Sequence, residues 1–128
     1  MSEHTPDYDP INAPDAAWWL SLDEDERIHL VLRYHRRARV ELPNARAHAT
    51  FHAIVETQVA MGDELPVARA LARLQAEGLD RHDAVHAIGA MLAERMHGLM
   101  AGGEQRDDPN QAYWEALEGL SAKSWRAR

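Results

Sequence analysis

A chain of 128 residues holds one domain's worth of polypeptide, and its 45% hydrophobic and 27% charged residues are the ordinary globular mixture, which excludes a wholly disordered protein. It contains no cysteine, so disulfides, thiol nucleophiles, zinc ribbons and iron–sulfur clusters are excluded, and any metal must be held by histidine and carboxylate. The net charge of −7 is unevenly spread: the chain is acidic up to Glu26 and then rich in arginine from Arg27 to Arg46.

In chain order, Met1 to Pro14 is polar and broken by prolines, and it reads as a flexible, acidic arm without a core of its own. The stretch MSEHTPDYDP lacks the basic and then apolar pattern of a secretory leader. No apolar run approaches the roughly 18 to 20 residues that span a bilayer, so a cytoplasmic protein without membrane contact is expected. Asp15 can cap a short helix carrying Trp18, Trp19 and Leu20. Ser21 with Glu24 three residues on forms a capping box, opening a helix to about Val40 that Leu42-Pro43 stops. Asn44 can cap a helix from Ala45 to about Met61, ended by Gly62. Pro66 fits the first turn of a third helix, ended by Gly78. Asp80 caps a long helix from Arg81 to about Met100, closed by Gly102-Gly103. After a polar link from Glu104 to Asp108, Pro109 starts a last helix with Tyr113, Trp114, Leu117 and Leu120. No strand-like alternation and no repeat is present. The expected fold is all-α: a compact bundle of four to five helices over residues 15–121, with a disordered acidic arm at 1–14 and a basic tail at 122–128.

The eight histidines are the unusual element of the composition. At about 100° per residue, the helix from Ala45 carries His48, His52 and Glu56 on or beside the face of Phe51, Val55 and Val59. In the helix after Asp80, His82 and His86 border the stripe of Val85, Ile88, Leu92, Met96 and Leu99. Gly89 and Ala93 share their row, small enough to let another helix come close. His35 points inward among Ile28, Val31, Leu32 and Ala38, whereas His29 points outward with the arginines. A buried imidazole must hydrogen-bond or bind something, because leaving it unpaired costs on the order of 1 to 3 kcal/mol. The pairs His52/Glu56 and His82/His86 have the i, i+4 spacing that stacks two ligands one turn apart. Facing each other, they would offer a divalent ion four nitrogen and oxygen ligands, which suits zinc, iron, nickel or manganese. His35, His48 and Asp83 are possible additional ligands, and Arg81 or Asp83 would orient the site.

Other patterns carry less. His82-Asp83-Ala84-Val85-His86 is an Asp-for-Glu variant of the zincin HExxH motif, but Leu92 stands where a metzincin has its third ligand, and no strand would hold a peptide. A protease reading is therefore disfavoured. The segment from Leu74 to Gly89 resembles a helix-turn-helix, yet its second helix lacks the outward Arg, Asn and Gln of a recognition helix, so nucleic acid is not the expected partner. Arg27, Arg33, Arg36 and Arg37 read as a solvated face that neutralises the acidic N-terminal segment.

The combination of LPNARAH, HxxxHxxxE and GLDRHDAVHAIG resembles a family of small bacterial helical proteins, a domain of unknown function. Its pattern is an HxxxHxxxE helix, a Pro-initiated helix and a GLxRHExxH helix. The resemblance spans about Leu42 to Leu99 and falls on His48, His52, Glu56, Arg81, His82, Asp83 and His86, with Asp83 where the pattern has Glu. It implies a shared His/Glu site and brings no activity to carry over.

Two functions compete on the sequence. One is a helical protein with a His/Glu divalent-metal site between two helices, acting on a small molecule if it is an enzyme at all. The other is a non-catalytic interaction module or homodimer with a polar histidine core and no metal, presenting Trp18-Trp19 or Trp114 and Leu117 to a partner. Chelation separates them, since only the first loses thermal stability.

Overall fold

The computed structural model describes residues 7–39, 44–100 and 110–128. Asp15 accepts a hydrogen bond from the Trp18 amide at 2.9 Å and opens α1, Ala16–Ser21. The capping box expected at Ser21 forms two residues later. Asp23 accepts from the Glu26 amide at 2.8 Å and Glu26 reaches back to the Asp23 amide at 3.3 Å, so α2 runs Glu24–Arg37. Ser21 cannot cap α2 because it closes α1, where its hydroxyl donates to the Trp18 carbonyl at 2.6 Å. Past the end of α2, Arg39 takes a left-handed φ of 57°. Val40, Leu42 and Pro43, expected to finish and stop this helix, lie outside the described residues.

Asn44 caps α3, Ala45–Ala60, through the Ala47 amide at 3.1 Å. Gly62, at φ 69°, begins a single 3-10 turn; α4, Val67–Ala76, then follows Pro66 and gives way to Gly78 at φ 109°. Asp80 accepts from the Asp83 amide at 2.8 Å at the start of α5, Arg81–Met100. The expected closing glycines, polar link and Pro109 lie outside the described residues, and the next helix, α6, is Gln111–Gly119. Residues 122–128 are not a tail. Ser121 opens a further helix, α7, Ala122–Arg126, by exchanging hydrogen bonds with Ser124; Trp125 packs on the core and Arg126 donates to the Gly78 carbonyl at 2.9 Å. Among the described residues every regular element is helical, and the fold is an all-α bundle.

Two apolar clusters meet along α3. Val55 joins Leu71, Leu74, Val85, Ile88, Tyr113 and Leu117 in one, while Ala49 and Ala53 join Trp19, Ile28, Leu30 and Val31 in the other. At about 100° per residue His48, His52 and Glu56 fall between these two stripes, so helix geometry alone brings a polar row into the interior. The second cluster also includes Tyr8, which is 1% exposed, and Pro10 is buried beside it. The segment from Asp7 to Pro14, expected in the arm, is therefore docked on the body, and residues 1–6 lie outside the described residues. Asp7 pairs with Arg33 at 2.9 Å and Arg37 at 2.8 Å, which ties acidic segment and arginine face together.

Candidate metal centre

Three helices contribute to the histidine cluster. α2 packs on α3 and α3 on α5, and one ring nitrogen each from His35 (α2), His48 and His52 (α3) and His86 (α5) lies within 4.8 Å of the other three. Of the residues expected to share an ion, His52 and His86 belong to this group, as do His35 and His48, expected as additional ligands. Glu56, His82 and Asp83 stand apart from it.

Glu56 lies one turn beyond His52, as its spacing requires, but its oxygens are engaged elsewhere. Arg81 meets the carboxylate with two parallel bonds, Nη1 to Oε2 at 2.7 Å and Nη2 to Oε1 at 2.6 Å, and Oε2 also accepts from the Tyr8 hydroxyl. Glu56 and Arg81 are 1% and 6% exposed, so this is a buried, fork-like ion pair, and Arg81 Nη1 also donates to the Pro10 carbonyl at 2.9 Å. Asp83 is exposed on the first turn of α5. The His82 ring centre lies 4.1 Å from that of His86, tilted, and 5.4 Å from that of Tyr34, edge-on, and the ring keeps a buried Nε2 without a hydrogen-bond partner, yet it lies outside the four-nitrogen group.

The hydrogen bonds fix which nitrogens carry lone pairs. His35 Nδ1 sits 2.9 Å from the Val31 carbonyl, and a carbonyl only accepts, so Nδ1 carries the proton. Its Nε2 is then a bare lone pair, buried and without a partner. Since the Tyr8 hydroxyl gives its proton to Glu56, the Tyr8 oxygen accepts from His52 Nε2–H at 2.6 Å, leaving His52 Nδ1 as a second buried, partnerless lone pair. His48 Nε2 and His86 Nε2 face each other at 3.0 Å, a pair that must share one proton. A cation between them can take that proton's place, with both rings switched to the Nδ1–H form. Carbonyl and phenol thus hold two imidazoles in the orientation that metal-binding histidines usually owe to such partners.

Burial, followed by the neighbouring imidazoles, disfavours positive charge on these rings. His52 is held well below the usual imidazole range, His48 is lowered, and His86 is pushed down to about 3. They are neutral near pH 7, the form that binds metals. Burial, with the Glu56 charge adding to it, pushes the Tyr8 phenol upward, which keeps its proton on the hydroxyl.

Against the cluster lies a pocket of about 260 Å³, with His48, His52 and His86 in one wall and Phe51, Ala93 and Trp125 among the apolar remainder. A larger cleft of about 520 Å³, bounded by Trp18, Glu26, His29 and Arg33, includes none of the clustered histidines. Two contributors were invisible in the sequence reading. Tyr8 sits in an acidic, proline-broken segment that gives no periodic signal, and Trp125 lies in the short stretch expected as a tail. Of the residues offered to a partner, two are spent inside the chain: Trp19 is fully buried, with its indole N–H donating to Thr57 at 3.1 Å, and Leu117 is 1% exposed, while Trp18 and Trp114 are half-buried. Compared with protein-family models, curated proteins and solved structures, the chain matches none.

Proposed function

We propose that the protein binds one divalent transition-metal ion through His35, His48, His52 and His86. The observation that carries this reading is the convergence of one ring nitrogen from each of four histidines within 4.8 Å, two of these rings also holding a buried nitrogen without a hydrogen-bond partner. A tetrahedral ion with bonds of about 2.0–2.1 Å separates its nitrogens by roughly 3.3–3.4 Å, so the widest spacing has to close by at most about 1.5 Å. Side-chain rotation on three packed helices supplies such a movement without unfolding. An all-imidazole set suits zinc, iron or nickel and is poorer for manganese, which seeks oxygen. Glu56, Arg81 and Tyr8 act behind the ligands: the ion pair anchors the phenol, and the phenol fixes the His52 ring.

Protein purified without a histidine tag and reconstituted with Zn²⁺ is expected to hold one ion per chain after desalting, and to melt lower once the ion is stripped by a chelator. Metal content that stays well below one per chain after reconstitution defeats the reading and leaves a polar histidine core.

A further inference from the structure

We propose that the pocket beside the histidine cluster binds a small monocarboxylic acid with an apolar body, the carboxylate joining the metal ion's coordination shell; this rests on the metal reading above. The argument begins with charge. Four neutral imidazoles leave an ion's double positive charge uncompensated in the protein interior, a costly arrangement. The nearest buried carboxylate cannot correct it, because Glu56 is already neutralised by Arg81 and both its oxygens are occupied. The compensating anion must come from outside, and the pocket reaches the ligands, since three of the four histidines line it.

The walls decide what kind of anion fits. Beyond the imidazoles no lining side chain carries a charge, so a phosphate would lose hydration on oxygens that find no donors. A monocarboxylate concentrates its charge at the ion and leaves a carbon body for Phe51, Ala93 and Trp125. The room is made by small residues on α5. Gly89 does not serve a close helix approach, as its row predicted: a Cβ there would meet nothing nearer than Val55 at 3.9 Å, an ordinary contact. Its missing side chain, with Ala90 and Ala93, enlarges the pocket instead.

The test uses the full chain loaded with Co²⁺, whose visible absorption reports coordination number, titrated with benzoate and separately with acetate. Cobalt stoichiometry is measured before acid is added. Benzoate is expected to change the spectrum saturably and to bind more tightly than acetate. Ala93→Phe, which fills the pocket, should retain one Co²⁺ per chain while weakening benzoate at least roughly tenfold, a change of about 1.4 kcal/mol. Trp125→Ala, which removes one wall, should also weaken benzoate and keep cobalt, and it serves if the larger side chain prevents folding. One Co²⁺ per chain with no response to benzoate overturns the proposal while sparing the metal reading. So does equal binding of acetate and benzoate that neither substitution alters, since the ion would then take any anion without help from the pocket. Failure to bind cobalt defeats the metal reading, and the acid site falls with it.

Discussion

Tyr8 does at the residue scale what the histidines cannot do for themselves. Its hydroxyl oxygen accepts from His52 Nε2–H and its proton goes to Glu56, so one atom sets the tautomer of His52 and ties it to a buried ion pair. Tyr8→Phe should leave the chain folded and weaken Zn²⁺ binding by about 10- to 100-fold, the usual cost of removing a partner behind a metal ligand. A competition titration with a chromophoric chelator reads this directly, and an unchanged affinity would remove Tyr8 from the site. The imidazoles predict a pH dependence whose sign is fixed. His52 and His86 have lowered values in the folded protein, so below about pH 6.5 the unfolded chain binds more protons. Their stabilising contribution is complete above that value and is lost as pH falls toward the folded value, about 3 for His86. In the presence of chelator, His86 alone gives a slope of up to about 1.4 kcal/mol per pH unit, and the half-buried His48 adds less. Urea denaturation at pH 7, 6 and 5 should show the falling midpoint; a flat profile would mean that these rings are already charged or solvated when folded.

The helices themselves are held by devices of different legibility. Caps at Asp15, Asn44 and Asp80 can be read from sequence because a short polar side chain precedes an apolar period, and each accepts the expected amide. The start of α2 is harder, since Ser21/Glu24 and Asp23/Glu26 satisfy the same spacing and only the presence of α1 decides between them. The end of α2 rests on Arg39 at φ 57°, a conformation costing roughly 1–2 kcal/mol for a residue with a Cβ. Arg39→Gly should therefore raise stability by up to about 1 kcal/mol, some of the relief being offset by the greater freedom of glycine when unfolded. Thermal melts of the two chains compare them, and a lower melting temperature for the glycine variant would show that the arginine side chain contributes more than its backbone costs. The C-terminal helices depend on Arg73, which donates to the Leu117 and Leu120 carbonyls, both at 2.7 Å, across the end of α6. Arg73→Ala should cost about 1.5–3 kcal/mol, as for hydrogen bonds to charged groups, and should raise amide exchange in α6 and α7 before α3 and α5. Equal acceleration throughout would mean that these helices do not open as a separate unit. Nothing local in the sequence announces this clamp, because its partners are carbonyls more than 40 residues away.

For the whole molecule, the fold class and the inward histidines were legible from 3.6-residue periodicity, whereas the membership of the site was not. The row of His48, His52 and Glu56 and the inward turn of His35 follow from helix geometry alone. Which of them meet depends on how α2, α3 and α5 pack, and on a competition for Glu56 that Arg81 wins by presenting two donors in a plane. Because the cluster exists only when three helices are assembled, the proposed metal binding would be linked to folding, and an ion at about a thousandfold excess over its dissociation constant would add roughly 4 kcal/mol. For a chain of this size that corresponds to roughly 10–15 °C in melting temperature. The most direct measurement is the Zn²⁺-induced shift in melting temperature of the unsubstituted chain, His86→Ala and His29→Ala, with bound zinc counted in each. His29 is exposed, outside the cluster, and controls for histidine content. The account predicts one zinc per chain and the full shift in the unsubstituted protein and His29→Ala, with both lost in His86→Ala. A His86→Ala chain that keeps one zinc and the full shift, or an unsubstituted chain that shows no shift, would contradict it.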